Sequence, residues 1–122
     1  MKLDYLKEGS DDCPLVRLYD FDSTDAHNLK QIFNALAEGS LERVDLEIVE
    51  SVDGSHLTFV RCTRDRGVVE STPRRFEVLL TSEGWWQAAD SIVSFCDGGV
   101  GYKWLTPQTN GIQWLFSKNG SW

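Results

Sequence analysis

The arginines of residues 61–75 are the side chains whose type and spacing most directly suggest chemistry. This segment holds five of the seven arginines in the chain. Four of them lie near enough in sequence to form one group: Arg64, Arg66, Arg74 and Arg75. If turns bring them together, their guanidinium groups form a cationic patch that suits carboxylates and phosphates. The alternative is that nearby acids neutralise them as solvent-exposed ion pairs, each of which contributes little stability.

Tryptophan is the second unusual feature, with five in 122 residues. Trp85 falls on the apolar stripe of a predicted helix, and Trp86 lies about 100° further around that helix, at the edge of the core. We expect Trp86 and Trp122 to be exposed, and Trp104 and Trp114 to face each other across a hairpin. An exposed tryptophan offers a large contact area at little entropic cost. Trp86 therefore joins the four arginines as a candidate ligand- or partner-binding residue.

Other residues with catalytic potential lack suitable neighbours. Asp20 and Asp22 place two carboxylates at a strand end, but Asp22 is explained more simply as a helix cap. His27 and His56 are the only histidines, and both are expected at the surface, so neither a catalytic triad nor a His-rich metal site can be assembled. The glycine run at residues 98–101 follows a helix, whereas a phosphate-binding loop precedes one. We therefore predict no catalytic residue, no metal and no cofactor.

The three cysteines, Cys13, Cys62 and Cys96, form no CxxC motif. Their wide spacing argues against a zinc or redox site. Two of them lie in apolar strand or helix contexts, which favours buried structural thiols. A reactive thiol needs a nearby base, and the sequence offers none close by.

Charge is the feature of the composition that bears most on partners. The chain has 19 acidic and 12 basic residues, a net charge of −7. Residues 1–53 hold 13 acids and 5 bases, a net charge of −8, whereas residues 54–122 hold 6 acids and 7 bases, a net charge of +1. An acidic total argues against non-specific nucleic-acid binding, which requires neutralisation of phosphates. It suits a basic protein partner, or serves solubility alone.

Two amphipathic helices are expected to position these side chains. The clearer one spans residues 82–96 and is capped by Thr81 or Ser82. Its apolar stripe consists of Trp85, Ala89, Ile92, Val93 and Cys96. The other helix begins after the cap residue Asp22 and runs to about Glu38, where a glycine ends it.

Alternating apolar residues predict the strands. These strands cover residues 15–20, 43–51, 56–62 and 74–80, with a last hairpin built from residues 102–105 and 112–116. Asp53-Gly54 is the strongest hairpin signal in the chain, because a type I′ turn needs two residues that accept positive φ. It predicts that the strands on either side of it pair directly.

The resulting order, β-α-β-β-β-α-β-β, predicts an α+β fold. We expect a single, mostly antiparallel sheet of about five to six strands with both helices packed on one face. With one middle strand left out, the order resembles an elaborated ferredoxin-like βαββαβ unit. We expect residues 1–122 to form one domain, with residues 1–12 as a loosely held N-terminal segment.

The functional hypotheses are ranked by what the sequence excludes. No apolar run approaches the roughly 20 residues that cross a bilayer, and no signal peptide is evident, so we expect a cytoplasmic protein without membrane contact. The first hypothesis is a non-enzymatic protein-binding or regulatory domain with a basic protein partner. The alternative is a domain that binds an anionic or aromatic small ligand through the arginine patch and neighbouring tryptophans. An enzyme of unrecognised type is third, and the oligomeric state is not specified.

Overall fold

The computed structural model describes residues 1–10, 13–105 and 111–122. Within these ranges, nine strands and three helices form an α+β fold. They follow the chain as β1 (Lys2–Ser10), β2 (Cys13–Tyr19), α1 (Ser23–Glu38), β3 (Arg43–Asp45), β4 (Glu50–Ser51), β5 (His56–Arg61), β6 (Gly67–Thr72), β7 (Arg75–Leu80), α2 (Ser82–Ser91), α3 (Val93–Cys96), β8 (Tyr102–Trp104) and β9 (Gln113–Ser117).

The strands form two mixed sheets. One has five strands in the order β4-β1-β2-β9-β8, and the other has four in the order β3-β5-β7-β6. The pairs β1–β4, β2–β9 and β5–β7 are parallel, and the remaining pairs are antiparallel. The expectation of a single, mostly antiparallel sheet with two helices is therefore wrong.

The error arose from pairing strands that are neighbours in sequence. β2 pairs in parallel with β9, so that Val16 lies opposite Trp114 from near the other end of the chain. β5 pairs in parallel with β7, because β6 takes the edge position beyond β7. Alternation of apolar residues reports which face of a strand is buried and says nothing of which strand lies beside it.

The Asp53-Gly54 pair marks a turn but not the predicted hairpin. Gly54 has the positive φ, 82°, that such a turn requires. The chain before it leaves β3 in the four-stranded sheet and enters β4 in the five-stranded sheet, where Glu50 lies opposite Lys2. The predicted strand at residues 43–51 is thus divided between the two sheets, and only its first part pairs with β5.

The N-terminal segment that we expected to be loosely held forms β1. Leu3 is fully buried, and the carboxylate of Asp4 accepts a 2.6 Å hydrogen bond from Arg17 in β2. The last two residues of the predicted loose segment, 11 and 12, lie outside the described residues. That the chain forms one domain stays a prediction.

The predicted helix caps are confirmed. Asp22 caps α1 in a capping box, in which it and Asp25 each accept a backbone hydrogen bond from the other. Gly39 ends α1 in the left-handed conformation, and Thr81 caps α2 through its side-chain oxygen. The second predicted helix is interrupted at Ile92, which divides it into α2 and α3.

Four aromatic side chains meet at the centre of the core: Phe33 from α1, Phe59 from β5, Trp85 from α2 and Trp114 from β9. The ring centroids of every pair among them lie between 5.3 and 6.3 Å apart. Trp85 Nε1 also donates a 3.1 Å hydrogen bond to the carbonyl of Val60. Because each ring comes from a different element, this aromatic tetrad joins both sheets and two helices in one cluster.

Candidate functional site

Strand β6 separates the four predicted arginines into two pairs. Arg64 and Arg66 lie in the loop before β6, whereas Arg74 and Arg75 lie at the turn into β7. β6 is six residues long, which corresponds to about 20 Å at about 3.3 Å per residue. The arginines therefore lie at the two ends of a strand rather than in one patch.

The first pair of arginines lies against the start of α2. Asp65, between them, accepts a 2.7 Å hydrogen bond from the backbone N–H of Thr81, the cap residue of α2. Trp86 follows one turn into α2 and is 45% exposed. Arg64, Arg66 and Trp86 therefore all lie near the start of α2.

Arg74 is engaged in a link between the two sheets. It has a φ of 68° and lies 3.3 Å from Asp53. Asp53 also accepts hydrogen bonds from the backbone N–H groups of Tyr5 in β1 (2.9 Å) and of Ser55 (3.1 Å). Partial burial is the largest influence on the Asp53 carboxyl and raises its pKa, but the hydrogen bonds and the charge of Arg74 together hold that pKa below its ordinary value.

A groove of about 510 Å³ lies over the outer face of the four-stranded sheet. Leu57 and Phe59 of β5 are buried in the core, so the alternating residues His56 and Thr58 face the other side. The charged and polar residues that line the groove include Arg43, Asp45, Glu47, His56, Thr58, Arg75 and Glu77. Arg75 is the only one of the five predicted site residues in this lining.

The helical segments account for most of the net negative charge of the chain. With their flanking residues, 22–39 and 81–97, they hold six acids and one base, which gives −5 of the total −7. These residues are Asp22, Asp25, Glu38, Glu83, Asp90, Asp97 and the base Lys30. Trp86 and Asp90 lie four residues apart in α2 and so share one side of that helix, and Val93 follows in α3. All three are exposed, so the prediction that Val93 belongs to the buried stripe is wrong.

The predicted burial of Trp85 and the predicted exposure of Trp86 and Trp122 are confirmed. The predicted pairing of Trp104 with Trp114 is wrong. Trp86 is 45% and Trp122 is 44% exposed, as expected, while Trp85 is fully buried. Trp104 lies opposite Leu115 in the β8–β9 pair, not opposite Trp114. Since neighbouring residues of a strand face opposite sides, Trp114 points to the core and Trp104 to the other face of the sheet.

The described cysteines differ in burial and in the contacts of their thiols. Cys96 is buried, and this burial raises the pKa of its thiol, as a structural cysteine requires. Cys62 is half-buried and donates its hydrogen to the carbonyl of Arg64, at 2.8 Å, while the side chain of Cys13 lies outside the described residues. In residues 1–10, 13–105 and 111–122, no group of three or more His, Cys, Asp or Glu side chains is placed to hold a metal ion.

Comparison with known proteins adds no assignment. No family model matches the chain, and neither the curated proteins nor the solved structures include a significant match. No helix in the described ranges is long and apolar enough to cross a membrane, and the cytoplasmic location stays a prediction. A functional assignment therefore rests on the surfaces described above.

Proposed function

We propose that this protein is a non-enzymatic protein-binding domain that docks a basic partner on its helical side. The observation that carries the proposal is the exposed side chain of Trp86 on helices that hold a net charge of −5. We define the acidic helical surface by Trp86, Asp90, Val93 and Asp97, all of which are exposed. A partner with lysine or arginine around an apolar pocket complements this surface.

Trp86 supplies the apolar anchor of this surface. At 45% exposure it leaves on the order of 100 Å² uncovered, and burying that area contributes about 2.5 kcal/mol at about 25 cal/mol per Å². This value falls in the range of an interface hot spot, a class in which tryptophan is enriched. Trp85, and not Trp86, makes the aromatic contacts and the hydrogen bond of the core, so the exposed part of the Trp86 ring is free to contact a partner.

The charges around Trp86 orient the approaching partner and increase its rate of association. Asp90 and Asp97 attract a basic partner over about one Debye length, roughly 8 Å at physiological salt. Arg64 and Arg66 lie beside the start of α2, on the side away from these two acids, and their charges repel the same partner there. The docked partner is therefore expected to extend from Trp86 towards α3 rather than towards the loop before β6.

The alternative of a ligand site built from the four arginines and Trp86 has less support. The length of β6 keeps Arg74 and Arg75 away from Trp86, and Arg74 is already paired with Asp53. A single anion cannot contact both pairs of arginines.

Site-specific photocrosslinking tests the proposal. A photoreactive phenylalanine analogue is placed at position 86 and, as a matched control, at position 122, where the tryptophan is equally exposed. Both proteins are irradiated in extract of the source cells, and the products are identified by mass spectrometry. We expect position 86, and not position 122, to crosslink a protein with a basic surface, and the crosslink to weaken as salt is raised. Equal crosslinking at both positions, or a product with an acidic surface, would contradict the proposal.

A further inference from the structure

We propose that the groove over the four-stranded sheet binds a zwitterionic small molecule of the size of a dipeptide. Its ammonium group is held by Asp45 and Glu47, and its carboxylate by Arg75. This site lies on the outer face of the sheet, whereas the helices and the aromatic tetrad pack against the inner face. It is therefore independent of the acidic helical surface, and either proposal can fail without the other.

Among the charged residues that line the groove, two acids and one arginine form no ion pair in the part of the chain that the structure describes. Arg43 and Glu77 form an ion pair at 3.0 Å and satisfy each other. Within the described ranges, no ion pair involves Asp45, Glu47 or Arg75. The groove thus presents acids at its β3 side and a guanidinium group at its β7 side.

Strand register fixes the separation between these charges. Asp45 lies opposite Thr58, Thr58 opposite Glu77, and Arg75 two residues before Glu77. With strands about 4.8 Å apart and a rise of about 3.3 Å per residue, the Cα atoms of Asp45 and Arg75 are about 12 Å apart. Because side chains stand roughly perpendicular to a sheet, their charges are separated by a similar distance, which suits a dipeptide held at both termini.

Hydrogen bonding holds the acidic end in place before a ligand arrives. Thr58 Oγ1 donates a 2.8 Å hydrogen bond to Asp45 Oδ1, which leaves Oδ2 available to an ammonium group. At the other end, His56 lies opposite Arg75 in the β5–β7 register and adds a second donor or acceptor beside it.

The size and composition of the groove fit a small zwitterion better than a simple anion. Its volume of about 510 Å³ is in the range of small-molecule sites. Counting Arg43 and Arg75 against Asp45, Glu47 and Glu77 gives a net charge of −1, which disfavours a phosphate or a dicarboxylate. Leu46 and Val49 line the same groove and offer an apolar contact to a ligand side chain.

Titration with alanyl-leucine and two blocked derivatives tests the site. The N-acetyl derivative lacks the ammonium charge, and the C-terminal amide lacks the carboxylate. Binding is followed by changes in the amide resonances of His56, Thr58 and Glu77, in the full chain. The variants are Asp45→Asn, in which the Thr58 hydrogen bond can persist, and Arg75→Gln. Arg64→Gln is the control, because it removes an exposed arginine outside the groove.

We expect N-acetylation and C-terminal amidation of the peptide each to weaken its binding to the unaltered protein at least about five-fold, because each modification removes one exposed charge pair. The penalty of N-acetylation should shrink in Asp45→Asn, where Glu47 still faces the ammonium group. The penalty of amidation should disappear in Arg75→Gln, while Arg64→Gln behaves like the unaltered protein. The proposal is overturned if no peptide shifts these resonances at millimolar concentration. It is also overturned if the blocked and unblocked peptides bind equally, or if Arg64→Gln weakens binding as much as Arg75→Gln.

Discussion

The backbone N–H of Tyr5 donates a 2.9 Å hydrogen bond to the carboxylate of Asp53, and this bond connects the two sheets. Tyr5 lies in β1 of the five-stranded sheet, while Asp53 precedes β5 of the four-stranded one. The ring of Tyr5 also packs on that of Phe76 in β7, with centroids 4.7 Å apart. The turn that the sequence marks as a hairpin thus serves as a junction between the sheets.

Replacing Asp53 with alanine is expected to destabilise the protein by about 2 kcal/mol. The substitution removes an acceptor of two backbone hydrogen bonds and the partner of Arg74, and hydrogen bonds to charged groups are worth about 1.5–3 kcal/mol. Urea unfolding monitored by tryptophan fluorescence measures the change. Asp97→Ala is the control, because Asp97 is exposed and is expected to change the free energy of unfolding by less than about 0.5 kcal/mol. Equal effects of the two substitutions would show that Asp53 does not join the sheets.

The same carboxylate is expected to make stability sensitive to acid. Its pKa in the folded protein is lower than the ordinary value of 3.8, so the folded state favours the charged form. The stabilisation is therefore complete above the pKa of the unfolded chain and is lost as the pH falls through the lower pKa of the folded state. As the pH falls below about 4, the unaltered protein should lose more of its free energy of unfolding than Asp53→Asn does. Parallel pH profiles for the two proteins would refute this assignment.

Substitution of the two adjacent tryptophans is expected to destabilise the protein by very different amounts. Trp85→Ala removes a fully buried ring of the aromatic tetrad and its hydrogen bond to Val60, and should cost about 3–5 kcal/mol. Trp86→Ala should cost clearly less, about 1–2 kcal/mol, since its ring is 45% exposed and belongs to no aromatic contact of the tetrad. Thermal and denaturant unfolding of the two variants measure this difference. A large loss of stability in Trp86→Ala would assign that residue to the core instead of a docking surface.

Neutralising the acidic helical surface is expected to slow binding of a basic partner more than it speeds dissociation. Asp90→Asn combined with Asp97→Asn should lower the association rate constant about three- to ten-fold at low salt, because exposed charges act mainly by steering the encounter. Stopped-flow or surface plasmon resonance measurements over a range of ionic strength give this rate. Asp20→Asn, an exposed acid outside α2 and α3, is the control. An association rate that is independent of salt would argue against electrostatic docking.

Local signals predicted the helix boundaries well, because the groups that form a cap lie within a few residues of each other. From sequence neighbours alone, Asp22 was predicted to cap α1, Gly39 to end it, and either Thr81 or Ser82 to cap α2, of which the structure shows Thr81. The interruption at Ile92 was missed, since Ile92 is buried and keeps the apolar spacing on both sides.

Non-local pairing is what the sequence left undetermined. The parallel pairs β2–β9 and β5–β7 join strands whose apolar patterns fit an antiparallel arrangement equally well. The groove follows from this pairing, because it aligns Thr58 with Glu77 and His56 with Arg75. Sequence alternation places Arg75 and Glu77 on the outward face of their strand, but only the β5–β7 register brings them beside His56 and Thr58. The same reason explains why the four arginines, close in sequence, are divided by β6.

The most direct test of the central claim compares two tryptophan substitutions in a binding measurement. The partner crosslinked through position 86 is purified, and its affinity for Trp86→Ala and Trp122→Ala is measured by isothermal titration calorimetry. The two residues are equally exposed, but Trp86 lies in α2 and Trp122 lies beyond β9, so they form a matched pair. We expect Trp86→Ala to weaken binding about 30-fold or more, as a hot spot of at least about 2 kcal/mol requires, and Trp122→Ala to leave it unchanged. Equal affinities of the two variants would contradict docking on the acidic helical surface.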